Sequence, residues 1–236
     1  MSERSEVEAH VVSTRFSVEV AGNSVPALFF APREPGDGPL PLVLIQHPAT
    51  SSKDDYFVAD VARLWTARGW VCGGIDAPLH GDREPHDPMS LFGDRDRLED
   101  AVAQFTFEVA AVLEDLEGRY VIDPERIAFV GYSLGSMMGL PAVAASGRFQ
   151  VAVFCLVGEG GVVGAASSPD GPVRSLTDVS VRIVGKTDDQ LIPRESTQAL
   201  FDALPGEKDL VWLPGGHFEI GPEVTAAAFE WLDATL

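Results

Sequence analysis

Eight short runs rich in valine, isoleucine and phenylalanine punctuate the sequence: Val11 to Val20, Val25 to Phe30, Leu42 to Gln46, Val71 to Ile75, Ile127 to Val130, Val151 to Val157, Val179 to Val184 and Leu210 to Leu213. Their length and β-branched content suit strands. From the third onward most are separated by stretches with helical spacing, and runs as continuously apolar as LVLI and VAVFCLV suit strands covered on both faces. The pattern predicts an α/β architecture, a mostly parallel eight-stranded sheet flanked by helices. The clearest helix carries Leu98, Val102, Phe105, Val109, Val112 and Leu116 on one stripe and is expected to stop at Gly118, a residue suited to a left-handed C-cap. The connection Ala21-Gly22-Asn23-Ser24 has hairpin length, so the sheet should start antiparallel.

No linker, repeat or low-complexity tract interrupts this alternation, and 236 residues are expected to form a single domain, 1–236. Acidic residues outnumber basic ones 36 to 17, giving a formal charge of -19. That opposes a surface for nucleic acid or anionic lipid, so neither is expected as a partner. No apolar run approaches the roughly 20 residues of a membrane helix, and the opening MSERSEVEAH has no apolar centre or cleavage site of a secretory signal. A cytoplasmic location is expected. Cys72 and Cys155 each lie in an apolar run, the setting of a buried reduced thiol. The histidines, His10, His47, His80, His86 and His217, show no metal-binding spacing, so no metal is expected.

Two connections are long for this kind of chain, Ala77 to Arg97 and Gly158 to Asp178, at about 21 residues each. Both should leave the carboxyl ends of strands, the edge at which open α/β sheets bind ligands, and so wall a pocket. Arg83, Arg95 and Arg97 in the first are candidates to anchor an acidic substrate, although a solvated loop that neutralises its own charges fits them better. The second, with GEGG and AASSPDGP, reads as a loop rather than a helical lid.

The stretch from Arg126 to Gly139 runs from a strand through Gly131-Tyr132-Ser133-Leu134-Gly135 into a helix. The G-x-S-x-G pattern is weak by itself in a chain with 23 glycines, but this context is that of a nucleophile elbow. A sharp turn exposes the Ser133 hydroxyl, the glycines let neighbouring backbone approach, and the free N–H of Leu134 at the helix start faces a developing oxyanion. A serine hydroxyl needs a base. His217, the only histidine after Ser133, follows the last strand in Leu213-Pro214-Gly215-Gly216-His217. The base in turn needs an acid. Counting back from Pro193, which should open a helix, favours Asp189; counting forward from Gly185 favours Asp188, and Glu159 past the sixth run is a third choice. Asp189 is taken as the acid. The second oxyanion donor should come from His47-Pro48-Ala49-Thr50; Pro48 has no N–H, which leaves Ala49, with His47 supporting the turn.

These residues resemble the α/β-hydrolase superfamily, and more narrowly its dienelactone-hydrolase-like and small serine esterase branch. The resemblance covers almost the whole chain: Gln46-His47-Pro48, Asp76-Ala-Pro-Leu-His80-Gly81-Asp82-Arg83, Asp123-Pro124-Glu125-Arg126-Ile127 leading into GYSLG, Asp188-Asp189 to Pro193, and PGGH at 214–217. It implies an eight-stranded sheet without a large lid, a Ser-Asp-His triad, an acyl-enzyme intermediate and no cofactor. Dienelactone hydrolases proper carry cysteine where this chain has Ser133, many relatives have glycine where it has Ser136, and the usual Gly-His-Gly here reads Leu79-His80-Gly81. The chain is therefore expected to be a serine hydrolase of small or medium carboxylic esters, its partner a small-molecule ester, with a homodimer left open. A peptidase, an amidase or an acyltransferase would use the same residues; a non-catalytic ligand-binding protein on this fold is the alternative from outside enzymology.

Overall fold

The structure, a computed structural model, describes residues 4–7, 10–160 and 171–236. Among these residues the strands are β1 (Arg4–Val7), β2 (Val11–Val20), β3 (Asn23–Pro32), β4 (Leu40–Gln46), β5 (Val71–Ile75), β6 (Ile122–Tyr132), β7 (Val151–Cys155), β8 (Ser180–Lys186) and β9 (Lys208–Leu213). They form one nine-stranded sheet in the order β1-β2-β3-β5-β4-β6-β7-β8-β9. Pairing is antiparallel from β1 through β3 to β5 and parallel from there to β9. All eight expected strands are present. The additional β1 has four exposed residues, so no apolar alternation announces it; it forms by pairing Arg4–Val7 with the free edge of β2, Arg4 opposite Arg15.

The strands read as continuously apolar because neighbouring residues feed different cores. Leu44, Phe129 and Phe154 pack on one face with Phe105, Val109, Val112 and Leu116 of α2 (Arg95–Arg119) and with Met138 and Val143 of α3 (Leu134–Ser146). Val43, Ile45, Val130 and Val153 pack on the other with Val61 and Trp65 of α1 (Ala59–Trp65). A second helix on that side is the last one, Pro222–Thr235, with Val224 and Leu232. One prediction is corrected: α2 does not stop at Gly118. It runs through Arg119, whose guanidinium pairs with Asp115 one turn back and lies over the Phe16 ring, while Tyr120 N–H still reaches Leu116 O at 2.8 Å. Arg119 is thus held in helical conformation by side-chain contacts that outweigh glycine's preference to end the helix.

The hairpin between β2 and β3 turns on Ala21 and Gly22, both at positive φ, the mirror-image turn that matches strand twist. Cys72 and Cys155 are buried free thiols whose burial pushes their pKa up, and no helix among the described residues is long and apolar enough to cross a membrane. What positions the site is the strand order. The chain leaves β4 for β5 on one side and returns to β6 on the other, so the segments after β4 and β6 diverge from adjacent strand ends, with Gln46 opposite Gly131.

Candidate active site

Between the end of β6 at Tyr132 and the start of α3 at Leu134, Ser133 alone makes the turn, at φ 51° and ψ -110°. That conformation is costly for a residue with a side chain and persists only where its surroundings enforce it. Here Ser133 N–H donates to Cys155 O (2.9 Å) at the end of β7, and Met137 N–H donates to Ser133 O (3.0 Å). A Cβ on Gly131 would lie 2.7 Å from the Gly135 backbone, and one on Gly135 would lie 2.4 Å from Gln46 O. Both glycines are therefore required by close backbone approach. The buried hydroxyl of Ser136 lies 2.7 Å from Gly131 O and 2.8 Å from Cys155 O, so it ties the elbow to β7 where the resemblance anticipates a glycine.

The loops after β8 and β9 converge on that serine. Ser133 Oγ is 2.8 Å from His217 Nε2, and His217 Nδ1 is 2.8 Å from Asp189 Oδ2. A carboxylate only accepts, so Nδ1 carries the ring proton and Nε2 is left as acceptor for the serine hydroxyl. Asp189 is itself fixed, Oδ1 accepting from the backbone N–H of Leu191 and Ile192 at 2.8 Å each. His217 is held from behind by Gln190 Oε1 (3.2 Å to its N–H) and by Gly215, at φ 101°, whose carbonyl accepts from Asp188 N–H (3.0 Å). Of the three acids weighed from sequence, Asp189 faces the histidine. Asp188 is exposed and accepts from Thr187 Oγ1 (2.7 Å), and Glu159 is exposed on a neighbouring hollow.

Across from the elbow, the turn after β4 rests on a polar scaffold. His47 is buried; Nδ1–H donates to Pro48 O (2.7 Å) and Nε2 accepts from Ala77 N–H (3.0 Å), which requires a neutral ring. Burial, opposed in part by the Pro48 carbonyl, lowers its pKa to about 4. His80 packs against it at 5.2 Å between ring centres, its Nδ1 on Pro78 O (2.8 Å), and burial lowers its pKa also. Lys53, which sequence reading passed over, proves fully buried. Its ammonium donates to Asp76 (2.9 Å), Asp82 (2.7 Å) and Asp54 (3.0 Å), and its backbone N–H to Asp76 (2.9 Å). Burial alone would depress its pKa, but Asp76 and the hydrogen bonds to the three carboxylates raise it. The pair clamps the segment following Ala49 to the end of β5; a lysine between two serines and two aspartates gives no sign of burial in the sequence.

None of the three candidate arginines lines the cavity around Ser133. Arg83 is buried, bidentate on Glu108 (2.9 and 2.5 Å) with its other donors on Asp76 O and Ser24 O. Arg95 pairs with Glu99 on α2, and Arg97 lies 3.8 Å from Asp87. The cavity itself measures about 470 Å³; Ala49, Phe57, Ser133, Leu191, His217 and Ile220 are among its walls. The long connection after β5 ends earlier than expected, at Asp94, because Asp94 caps α2 by accepting from Arg97 N–H (3.2 Å); its Met89 and Phe92 close one side of the cavity. Of the second long loop, 161–170 lie outside the described residues.

No protein-family model and no curated protein sequence matches the chain. Solved structures do. A cold-adapted esterase from an Arctic intertidal metagenomic library, in its PEG-bound complex, superimposes with a TM-score of 0.86 at 30% identity over 100% of both chains. The acetyl xylan esterase of Paenibacillus sp. R4 gives 0.75 at 15% identity, over 100% of this chain and 88% of that one. A chain from Klebsiella pneumoniae subsp. pneumoniae MGH 78578 assigned as a dienelactone hydrolase gives 0.70 at 20% identity, over 94% and 98%.

Proposed function

We propose that this chain, a carboxylic ester hydrolase of the α/β-hydrolase superfamily, cleaves small or medium esters through an acyl-enzyme on Ser133. The observation that carries this reading is the hydrogen-bond chain from Ser133 through His217 to Asp189 at the wall of an apolar cavity. His217 Nε2 takes the hydroxyl proton as Ser133 Oγ bonds to the acyl carbon, and the carbonyl oxygen becomes an oxyanion beside the backbone N–H groups of Ala49 and Leu134. Asp189 stabilises the imidazolium without itself taking the proton. The imidazolium then protonates the leaving oxygen as the C–O bond breaks, releasing the alcohol. Water attacks the acyl-serine with His217 again as base, and the acid leaves with Ser133 restored. The reaction as written needs only the ester and water.

Replacing Ser133 with alanine is expected to reduce p-nitrophenyl butyrate turnover at least about a thousandfold. A fluorophosphonate probe should label the wild type at Ser133, read by peptide mass. Turnover near the wild-type rate in Ser133→Ala would overturn the assignment.

A further inference from the structure

We propose that the site selects esters uncharged on both sides of the scissile bond and rejects those bearing a carboxylate. This rests on the Ser133 hydrolase reading above and adds a substrate class to it. Around the cavity mouth, Met89, Phe92, Leu191 and Phe218 stand 62%, 52%, 56% and 80% exposed. Four large apolar side chains at one opening are costly to hydrate, and an apolar substrate group covers them. Among the described residues, one ionisable side chain besides His217 lines the cavity, Asp55, which accepts from Ser51 Oγ (2.5 Å) and Ser52 N–H (3.1 Å). No lysine or arginine does so among the described residues, and 161–170 contain neither.

A second hollow of about 250 Å³ shares Leu191 with the first and lies beside Met137, one helical turn beyond Ser133; among the described residues it too contains a carboxylate, Glu159, and no cation. The cavity at the serine and the hollow adjoining it thus both offer apolar wall and negative charge. A substrate carboxylate entering either would surrender hydration without gaining a counter-ion. It would also add to the oxyanion formed in the transition state, so the discrimination belongs in kcat/KM. The arginines that might have supplied a counter-ion are committed elsewhere, Arg83 to Glu108 and Arg95 to Glu99.

The test uses two matched pairs: 4-nitrophenyl hemiadipate against 4-nitrophenyl methyl adipate for the acyl side, and 4-butyryloxybenzoate against its methyl ester for the alcohol side. After correction for spontaneous hydrolysis, the neutral member of each pair is expected to show at least about thirtyfold higher kcat/KM. The ratio should persist in about 0.5 M NaCl, where screening over about 4 Å removes repulsion from the distant surface charges. In Phe92→Arg, which places a cation at the mouth, the ratio of at least one of the two pairs should fall at least about fivefold. Ser133-dependent hydrolysis of charged and neutral members at similar rates, or a ratio that collapses in salt, would overturn the charge selection alone. Hydrolysis of the neutral esters that survives Ser133→Ala would instead overturn the reading beneath it.

Discussion

His217 and His47 are both buried histidines at the carboxyl edge of one sheet, and in both the Nδ1 nitrogen donates while Nε2 accepts. Their partners differ. His217 donates to the carboxylate of Asp189 and accepts from a serine hydroxyl that opens on a cavity. His47 donates to the carbonyl of Pro48 and accepts from the backbone N–H of Ala77. A carboxylate can balance a positive ring, so the first histidine is equipped to hold a second proton; a carbonyl and an N–H cannot, so the second is kept neutral, with its pKa lowered by burial to about 4. On the proposed mechanism the same side chain is a base in one setting and a scaffold in the other, and the partner's charge decides which.

The contrast is most exposed to test at the carboxylate. Asp189→Asn would leave His217 a hydrogen-bonding partner without charge and is expected to lower kcat about 10,000-fold, whereas Asp188→Asn, on the surface, should change it less than about twofold. Steady-state turnover of one neutral ester decides between them, and equal effects would erase the distinction between the two aspartates. On the scaffold side, Lys53→Met strands the buried carboxylate of Asp76 and should lower the unfolding free energy by about 3–5 kcal/mol in urea titrations followed by tryptophan fluorescence. A loss below about 1 kcal/mol would mean that the lysine does not clamp the turn.

The neutral state of His47 has its own signature. In the unfolded chain it titrates near 6.5, and in the fold near about 4. The unfolded state therefore binds the extra proton first; stability is present in full above pH 6.5 and is lost as pH falls toward 4, by on the order of 3 kcal/mol. His80, also lowered, acts in the same direction. His47→Gln should flatten the pH dependence of the urea midpoint between pH 7 and pH 4.5, to within about half the wild-type slope. An unchanged slope would show that His47 is not the group being held neutral. The smallest expected effect is that of Ser136→Ala: about 1 kcal/mol of stability for the lost hydroxyl contact, and less than about threefold in turnover, because Gly131 and Gly135 continue to admit the turn.

Strand positions were legible because burial on both faces leaves an unbroken apolar run, and the elbow because a strand, two spaced glycines and an apolar helix coincide around Ser133. His217 followed from chain order alone. Asp189 was preferred to the adjacent Asp188 only by counting back from Pro193, since which carboxylate turns inward depends on a loop conformation anchored by Leu191 and Ile192 amides. Strand β1 was missed because its four exposed residues carry no apolar alternation, and the continuation of α2 past Gly118 because the ring of Phe16 that Arg119 covers is distant in sequence. Lys53 is the strongest case. Nothing local distinguishes it from a solvated lysine, and only the return of the chain at β5 brings Asp76 to it.

From its order of residues alone this chain had an α/β sheet, a serine at a strained strand-to-helix turn and a histidine downstream, because local periodicity and close-packing glycines are written in consecutive positions. The orientation of Asp189 toward His217, the commitment of Arg83 to Glu108, the burial of Lys53 and the lack of a lysine or arginine around Ser133 among the described residues came only with the tertiary structure. The physical reason is that charge and hydrogen bonding act between groups a few ångströms apart, and those distances are set by which strands lie side by side.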